Sequence, residues 1–341
     1  MPQPASRPRP DTAGGAIRRF QIYGISLNVE GPAVPYFASE LEDLGENEIS
    51  EQGRVISVVP VEDDDLPTKP AGSRFGLRLP FGESDSTIVY NPRVDPYVLF
   101  AYAEASLMWG NKSFLHAGAV GDSHGAYVFT GSGGVGKTST VLALIRKGYD
   151  YFADDWLVVG GGRAFPYPKR VHIFDYNIAD RELARRLLGV RRFGYRVLYR
   201  LLNLGMAAAP HRLVVYGLEQ VKPRIQASIM SVIPGARVGR PAELRKVFYL
   251  YRNRAGRRGS VSVDPEELAR RMASVNRYER DFFYREYFKY VEAFGCYDLT
   301  VEARFREEAQ ILADTFRHAE IIPLEVSRNV GGLLPTVLKF M

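Results

Sequence analysis

Residues 126–139 read AYVFTGSGGVGKTS, and the rest of the chain is organised around them. Ala126–Thr130 is an unbroken apolar run, as suits a central strand covered on both faces. Gly131-Ser132-Gly133-Gly134-Val135-Gly136-Lys137-Thr138 follows and fits G-x-x-x-x-G-K-[ST] at every fixed position. A helix is expected from about Lys137 to Lys147, closed by Gly148. A strand, a glycine-rich turn and a helix in that order form a phosphate cradle. The glycines let backbone N–H groups wrap a phosphate at the positive end of the helix. Phosphate contacts are therefore expected along Gly131, Ser132, Gly133, Gly134, Val135, Gly136, Lys137, Thr138 and Ser139. Lys137 would reach β- and γ-phosphates, and Thr138 would place its hydroxyl on Mg²⁺, which takes hard oxygen ligands. The bland alternative is a strand-to-helix turn without a ligand.

Working outward, Tyr149–Phe152 is strand-like and leads into Ala153-Asp154-Asp155, followed by the strand-like Trp156–Val159 and a turn at Gly160–Gly162. A carboxylate one helix downstream of a phosphate loop coordinates Mg²⁺ directly or through water. Two adjacent carboxylates offer more, since one can hold metal while the other accepts a proton from an attacking hydroxyl. Successive strand residues face opposite ways, so both reach one site only where the strand is ending. The second aspartate is otherwise a turn or cap residue. Upstream, Phe114–Val120 forms another strand-like run, and His116 within it is either a packing residue or part of the same site.

Composition narrows the classes. The chain has 341 residues, 46% hydrophobic and 25% charged, so it is globular and of a size for two domains or one large one. A single cysteine, Cys296, excludes an internal disulfide and a cysteine metal cluster. No apolar stretch is long enough for a membrane helix; the longest candidate, Tyr97–Trp109, contains Glu104. Residues 1–16 hold several prolines without an apolar core, which reads as a disordered tail and not as a signal peptide. A cytoplasmic location is expected. The net charge of +6 is uneven. Arg181, Arg185, Arg186, Arg191, Arg192, Arg196 and Arg200 crowd one stretch, and Arg252, Arg254, Arg257 and Arg258 another. Such patches bind phosphates, acidic peptides, nucleic acid or anionic lipid, or are simply solvated faces. Nucleic acid is the least expected partner.

Residues 17–110 form a β-rich N-terminal region, with strand-like runs at Ile17–Val29, Val55–Val61, Phe75–Leu79 and Thr87–Tyr90. Gly and Pro clusters such as GPAVP punctuate them, and Glu62–Asp65 is a solvated loop. Asp95–Trp109 has helical spacing. Residues 111–341 would hold the nucleotide core and a helical C-terminal part. There, Ala179–Leu204 is basic and helical, while Val247–Tyr251 and Val261–Val263 flank an arginine-rich turn as a hairpin would. Asp264-Pro265-Glu266-Glu267 starts a helix with an N-cap, Pro at N1 and early acids. Helical pattern runs on with breaks to about Ala319, and Ile321–Val326 is a closing strand. The aromatic cluster Tyr278–Tyr290 fits an amphipathic core or subunit-interface helix better than base stacking. The fold class is α/β (α+β).

Taken together, Leu115-His116-Ala-Gly118, the loop through Thr138, and Tyr151-Phe-Ala-Asp154-Asp155 resemble the HPr kinase/phosphorylase family, whose core is similar to phosphoenolpyruvate carboxykinases. His116 lies 21 residues before Lys137 and Asp155 18 after it. The resemblance implies ATP and Mg²⁺, phosphoryl transfer to a serine-type hydroxyl on a peptide, protein or small molecule, and a homo-oligomer. It implies that Asp155 is the base, that Asp154 and Thr138 hold the metal, and that His116 and Lys137 assist catalysis. The family's Glu-x-Arg-Gly stretch has no counterpart. Phe165–Asn177 stands in its place, where Asp175 is a substitute ligand or a solvated loop residue. Lys169, Arg170 and His172 either clamp a phosphoryl group or are exposed loop charges. The competing reading is an ATPase or nucleotide-dependent switch with water as the acceptor.

Overall fold

The computed structural model describes residues 17–23, 25–41, 44, 54–61, 77–78, 87–93, 96, 99–100, 111–173, 181–208, 225–252, 263–294, 299–326 and 333–341. The fold is mixed α/β, built on two main sheets. The first holds β1 (Arg18–Ile22), β2 (Ile25–Val29), β3 (Arg54–Pro60), β4 (Leu77–Arg78) and β5 (Thr87–Tyr90), in the order β1-β2-β3-β5-β4. Residues 17–29 thus form a hairpin and not one strand, turning at Tyr23, whose φ is +40°. The GPAVP stretch is also more than a turn. A 3₁₀ turn at Gly31–Ala33 runs into helix α1 (Val34–Leu41), with proline in the first turn, where its missing N–H costs no bond. Phe37 and Leu41, one helical turn apart, bury in the same cluster as Leu27, Val29 and Val58 of the sheet.

The second part of the chain runs β6 (Ser113–Asp122), β7 (Gly125–Thr130), α2 (Lys137–Ile145), β8 (Asp150–Ala153), β9 (Trp156–Gly160), β10 (Arg163–Phe165), β11 (Val171–Ile173), α3 (Arg181–Leu188), α4 (Arg192–Ala208), β12 (Ile225–Ala227), α5 (Ile229–Val232), β13 (Ala242–Tyr251), α6 (Pro265–Glu279), α7 (Asp281–Phe294), α8 (Leu299–Phe316), β14 (Glu320–Glu325) and α9 (Leu333–Leu338). Its sheet has the order β10-β9-β6-β7-β13-β14, with β8 continuing the line of β9 beside β6. Strands β7, β13 and β14 are parallel; β6 is antiparallel to β7. β10 also pairs with the start of β13, which closes a five-strand ring. β11 and β12 form a separate small ribbon.

The apolar run at 126–130 is buried throughout because helices cover both faces. Tyr127 and Phe129 join α2 and α3 in one cluster, and Phe129 stacks on Phe248 with ring centroids 5.1 Å apart. Ala126 and Val128 point the other way, into the cluster that holds α6 and α8. Alternate residues thus serve two cores, and the polar Thr130 at the strand's end donates its hydroxyl to the His116 carbonyl at 3.0 Å.

Three expectations need correction or limits. Val247–Tyr251 ends the ten-residue β13, which pairs with β7 as far as Tyr249 on one side and with β14 on the other, while residues 253–262 of the expected hairpin lie outside the described residues. The basic region is two helices, α3 and α4, joined by a 3₁₀ turn at Gly189. Residues 1–16, the acidic run 62–65, most of 95–109, Asp175, and Arg254, Arg257 and Arg258 lie outside the described residues. Asp264 caps α6 as expected, its carboxylate accepting from the Glu267 N–H at 2.6 Å. On α7, Phe283, Tyr287 and Val291 form the buried stripe of a core helix, packed with Phe114 and Trp156. Among the described residues no helix is long and apolar enough to cross a membrane.

Candidate functional site

The glycine-rich loop leaves β7 at Thr130 and enters α2 at Lys137. Gly131 sits at φ +143° against the neighbouring strand, where a Cβ would meet the Leu250 carbonyl oxygen at 2.2 Å. Gly136 N-caps α2 from the left-handed region, φ +97°, which a larger residue adopts only with strain. Val135 is buried and pins the loop to the core beneath α2, while Ser132, Gly133 and Gly134 face outward. The Lys137 ammonium lies over the loop and donates to the carbonyls of Gly131 (2.9 Å) and Ser132 (3.2 Å). Burial lowers its pKa to about 8, against the pull of Asp155, Glu279 and Asp154, so it stays mainly charged at neutral pH. From the end of β13, Arg252 donates to the Gly134 carbonyl at 2.7 Å.

Asp154 and Asp155 stand where the chain bends between β8 and β9. The Ala117 N–H donates to the Asp155 carbonyl at 3.1 Å, which holds the bend in register with β6. Both carboxylates reach the loop's surroundings, as a strand end permits. Asp154 is buried and hydrogen-bonded by the Thr138 hydroxyl. Burial, then the Asp155 charge, pushes its pKa up to about 7, and its Oδ1 has no hydrogen-bond partner. Asp155 is the open member, its side chain 45% exposed, with Oδ1 3.3 Å from His116 Nδ1.

His116 is buried on β6, its ring edge-on to Trp156 at 5.4 Å. Desolvation first, then the nearby Lys137 charge, pulls its pKa down to about 4 despite Asp155. The imidazole is therefore neutral at neutral pH and has one N–H to give. Two carboxylates compete for it, because Nε2 lies 3.8 Å from Glu279 Oε1. The shorter approach is to Asp155. Two residues along β6, Gly118 explains its place in the Leu-His-Ala-Gly run. A Cβ there would lie 2.7 Å from Val141 Cγ2, so glycine lets α2 close on the strand that carries His116.

The last turn of α6 supplies residues the sequence reading missed. Asn276 Oδ1 accepts from the His116 backbone N–H at 2.9 Å, and its Nδ2 donates to the Phe114 carbonyl and to buried Glu308 at 2.8 Å. Arg280 lays its guanidinium 4.0 Å from the Trp156 ring centroid and 4.7 Å from that of Phe114. Glu279 faces His116, and its pKa is raised by burial and by Asp155. A signal was present. Ala269, Met272 and Ala273 set a buried stripe that Asn276 and Arg280 continue, and polar residues in an apolar stripe mark a satisfied, position-specific network.

Lys169 and Arg170 are neither a phosphate clamp nor free loop charges. Lys169 lies 3.6 Å from buried Glu40 and over the Phe100 ring, and Arg170 donates to the Ser39 carbonyl; both bind the α1 segment. His172 lies on β11 opposite Gln226.

The residues fit a nucleotide with its magnesium. The orphaned, buried Asp154 Oδ1 and the Thr138 hydroxyl give two hard oxygens beside a loop of outward-facing backbone. Among the described residues no three His, Cys, Asp or Glu gather into a metal cage. Magnesium does not need one, since it keeps water and takes phosphate oxygens beside one or two carboxylates. Neither the models of known protein families nor the curated proteins contain a match to this chain.

Proposed function

We propose that the chain is a kinase with a phosphate-loop core of the HPr kinase/phosphoenolpyruvate carboxykinase type, moving the γ-phosphoryl of ATP to a hydroxyl acceptor. One observation carries the reading: a half-exposed carboxylate, Asp155, stands beside a buried one, Asp154, that is already hydrogen-bonded by Thr138. Nucleotide binding alone uses the loop, Lys137, Thr138 and one carboxylate; it leaves Asp155 and His116 without work.

In the proposed reaction the loop from Gly131 to Ser139 holds the phosphates by its N–H groups, with the Lys137 cation beside them. Magnesium, held by Thr138 and Asp154, would offset charge on the phosphate oxygens. Asp155 takes the proton from the acceptor hydroxyl as the new O–P bond forms and the β–γ bridge breaks, releasing ADP. His116, neutral and fixed through its own backbone by Asn276, holds Nδ1, an atom without a hydrogen-bond partner, 3.3 Å from the Asp155 carboxylate, where a small adjustment would let it orient that base. Glu279 stands on the Nε2 side of the imidazole, 3.8 Å away. The acceptor class is a hydroxyl on a peptide, protein or small molecule.

The test follows the label. Purified protein, Mg²⁺ and γ-labelled ATP are incubated in extract of the source cells, beside Lys137→Ala and Asp155→Asn, and protein, peptide and small-molecule fractions are separated. A labelled species absent from both variants is expected. Label found only in inorganic phosphate would replace the kinase by an ATPase or switch with water as acceptor.

A further inference from the structure

Helices α3 and α4 carry a surface that the nucleotide site does not use. From Leu183 to Ala208 the sequence holds six arginines and neither aspartate nor glutamate. One side of this pair is core: Leu183, Ala184 and Tyr199 are buried with α2, and Tyr195 packs beside them. Another side of α4 exposes five large apolar side chains. Phe193 is 76% exposed, Leu204 66%, Leu201 61%, Leu198 42% and Val197 41%. At 3.6 residues per turn these five share an arc of about 140°, and Tyr195 and Tyr199 fall outside it. Arg191 and Arg200 are exposed on the same segment.

Neither bland explanation covers this. Core packing accounts for the tyrosines but not for the five open apolar side chains. A solvated basic face accounts for the arginines but not for phenylalanine and leucine beside them. A second copy of α4 would set arginine against arginine with no acid to separate them, which like-charge repulsion opposes. An anionic bilayer offers both complements at once, apolar chain for the leucines and phosphate for the guanidiniums. Arginine stems lie along an apolar surface while their heads stay at the polar boundary. An apolar arc bordered by arginine, without acids, is the pattern of a helix that lies in a membrane interface.

We propose that α4 docks the protein on the surface of an anionic lipid bilayer, with Phe193, Leu201 and Leu204 entering the headgroup boundary and Arg191 and Arg200 on lipid phosphates. This stands apart from the kinase reading and does not depend on it.

The experiment is flotation of the full chain with phosphatidylcholine vesicles, with and without phosphatidylglycerol, at about 0.1 M and about 0.5 M salt. The wild type is expected to float with the anionic vesicles and at least about tenfold more weakly with the neutral ones or at high salt. The triple variant Phe193→Ser/Leu201→Ser/Leu204→Ser keeps every charge and changes only exposed positions; it is expected to lose at least about tenfold in affinity, with its circular dichroism unchanged. A Phe193→Trp variant reads insertion directly, through added quenching by bromine-labelled anionic lipid. No binding of the wild type to anionic vesicles overturns the proposal. Equal binding by the triple variant overturns it too, because charge alone then suffices. A wild-type dimer that the triple variant abolishes, with no vesicle binding, would assign the face to a second copy instead.

Discussion

Asp154→Asn is expected to stabilise the ligand-free protein, by an amount that grows with pH. Folding lifts the pKa of this buried carboxyl from 3.8 to about 7. Between those values the folded protein binds a proton that the unfolded chain releases, so stability falls as pH rises through the window. Asparagine is neutral throughout and escapes that loss, while its amide keeps an oxygen for the Thr138 hydroxyl. At about 1.4 kcal/mol per pKa unit the full difference above pH 7 is about 4 kcal/mol. That figure already contains the attraction of the Lys137 cation, which lowers the Asp154 pKa and which asparagine forgoes. At pH 5 only about a third of it remains. A chain of 341 residues has an unfolding entropy near 0.7 kcal/mol per kelvin, by the usual per-residue value. The variant should therefore melt about 6 °C higher at pH 8 and about 2 °C higher at pH 5, measured by scanning fluorimetry with chelator and no nucleotide. A shift that is flat with pH, or a lower melting point at pH 8, would refute the reasoning.

Three other substitutions probe the frame around the site. Gly118→Ala puts a methyl 2.7 Å from Val141 Cγ2 and should cost about 1–3 kcal/mol in denaturant unfolding, whereas a change within about 0.5 kcal/mol would show that α2 can shift freely. Asn276→Ala strands the His116 N–H and Glu308 in the interior and leaves the Phe114 carbonyl only the Ser113 hydroxyl, and a loss of about 2–4 kcal/mol is expected; thermal or urea unfolding close to wild type would contradict that network. Glu279→Gln keeps the shape but removes a charge that faces His116, so kcat should fall while the KM for ATP changes by less than about threefold. A rise in that KM alone would make Glu279 a nucleotide contact.

The loop was legible because its chemistry is local. The proposed phosphate cradle needs glycine where a Cβ would strike the next strand, as at Gly131, and lysine and threonine at the first turn of the helix that follows. The paired aspartates were legible for a similar reason, since the strand-end argument places both near the loop. Residues brought by long-range packing were not. Glu279 reaches His116 only because α6 lies against β6, and no local pattern encodes that contact. The start of α1 was masked by Pro32 and Pro35, which mark turns as readily as first helical turns. For the strand at 247–251, apolar content shows that it is buried, not which strands flank it. Parallel partners at distant positions, β7 and β14, occupy both edges of β13.

The division of labour between loop and base is tested most directly in Asp155→Asn, by measuring nucleotide affinity and ADP formation on the same preparation with the acceptor fraction present. The loop, Lys137, Thr138 and Asp154 are intact in that variant, so the Kd for MgATP should stay within about threefold of wild type. The rate should fall by about a hundredfold or more, the usual worth of a positioned base. A wild-type rate, or a loss of affinity that accounts for the whole fall in rate, would contradict the assignment of Asp155 as the group that takes the acceptor's proton.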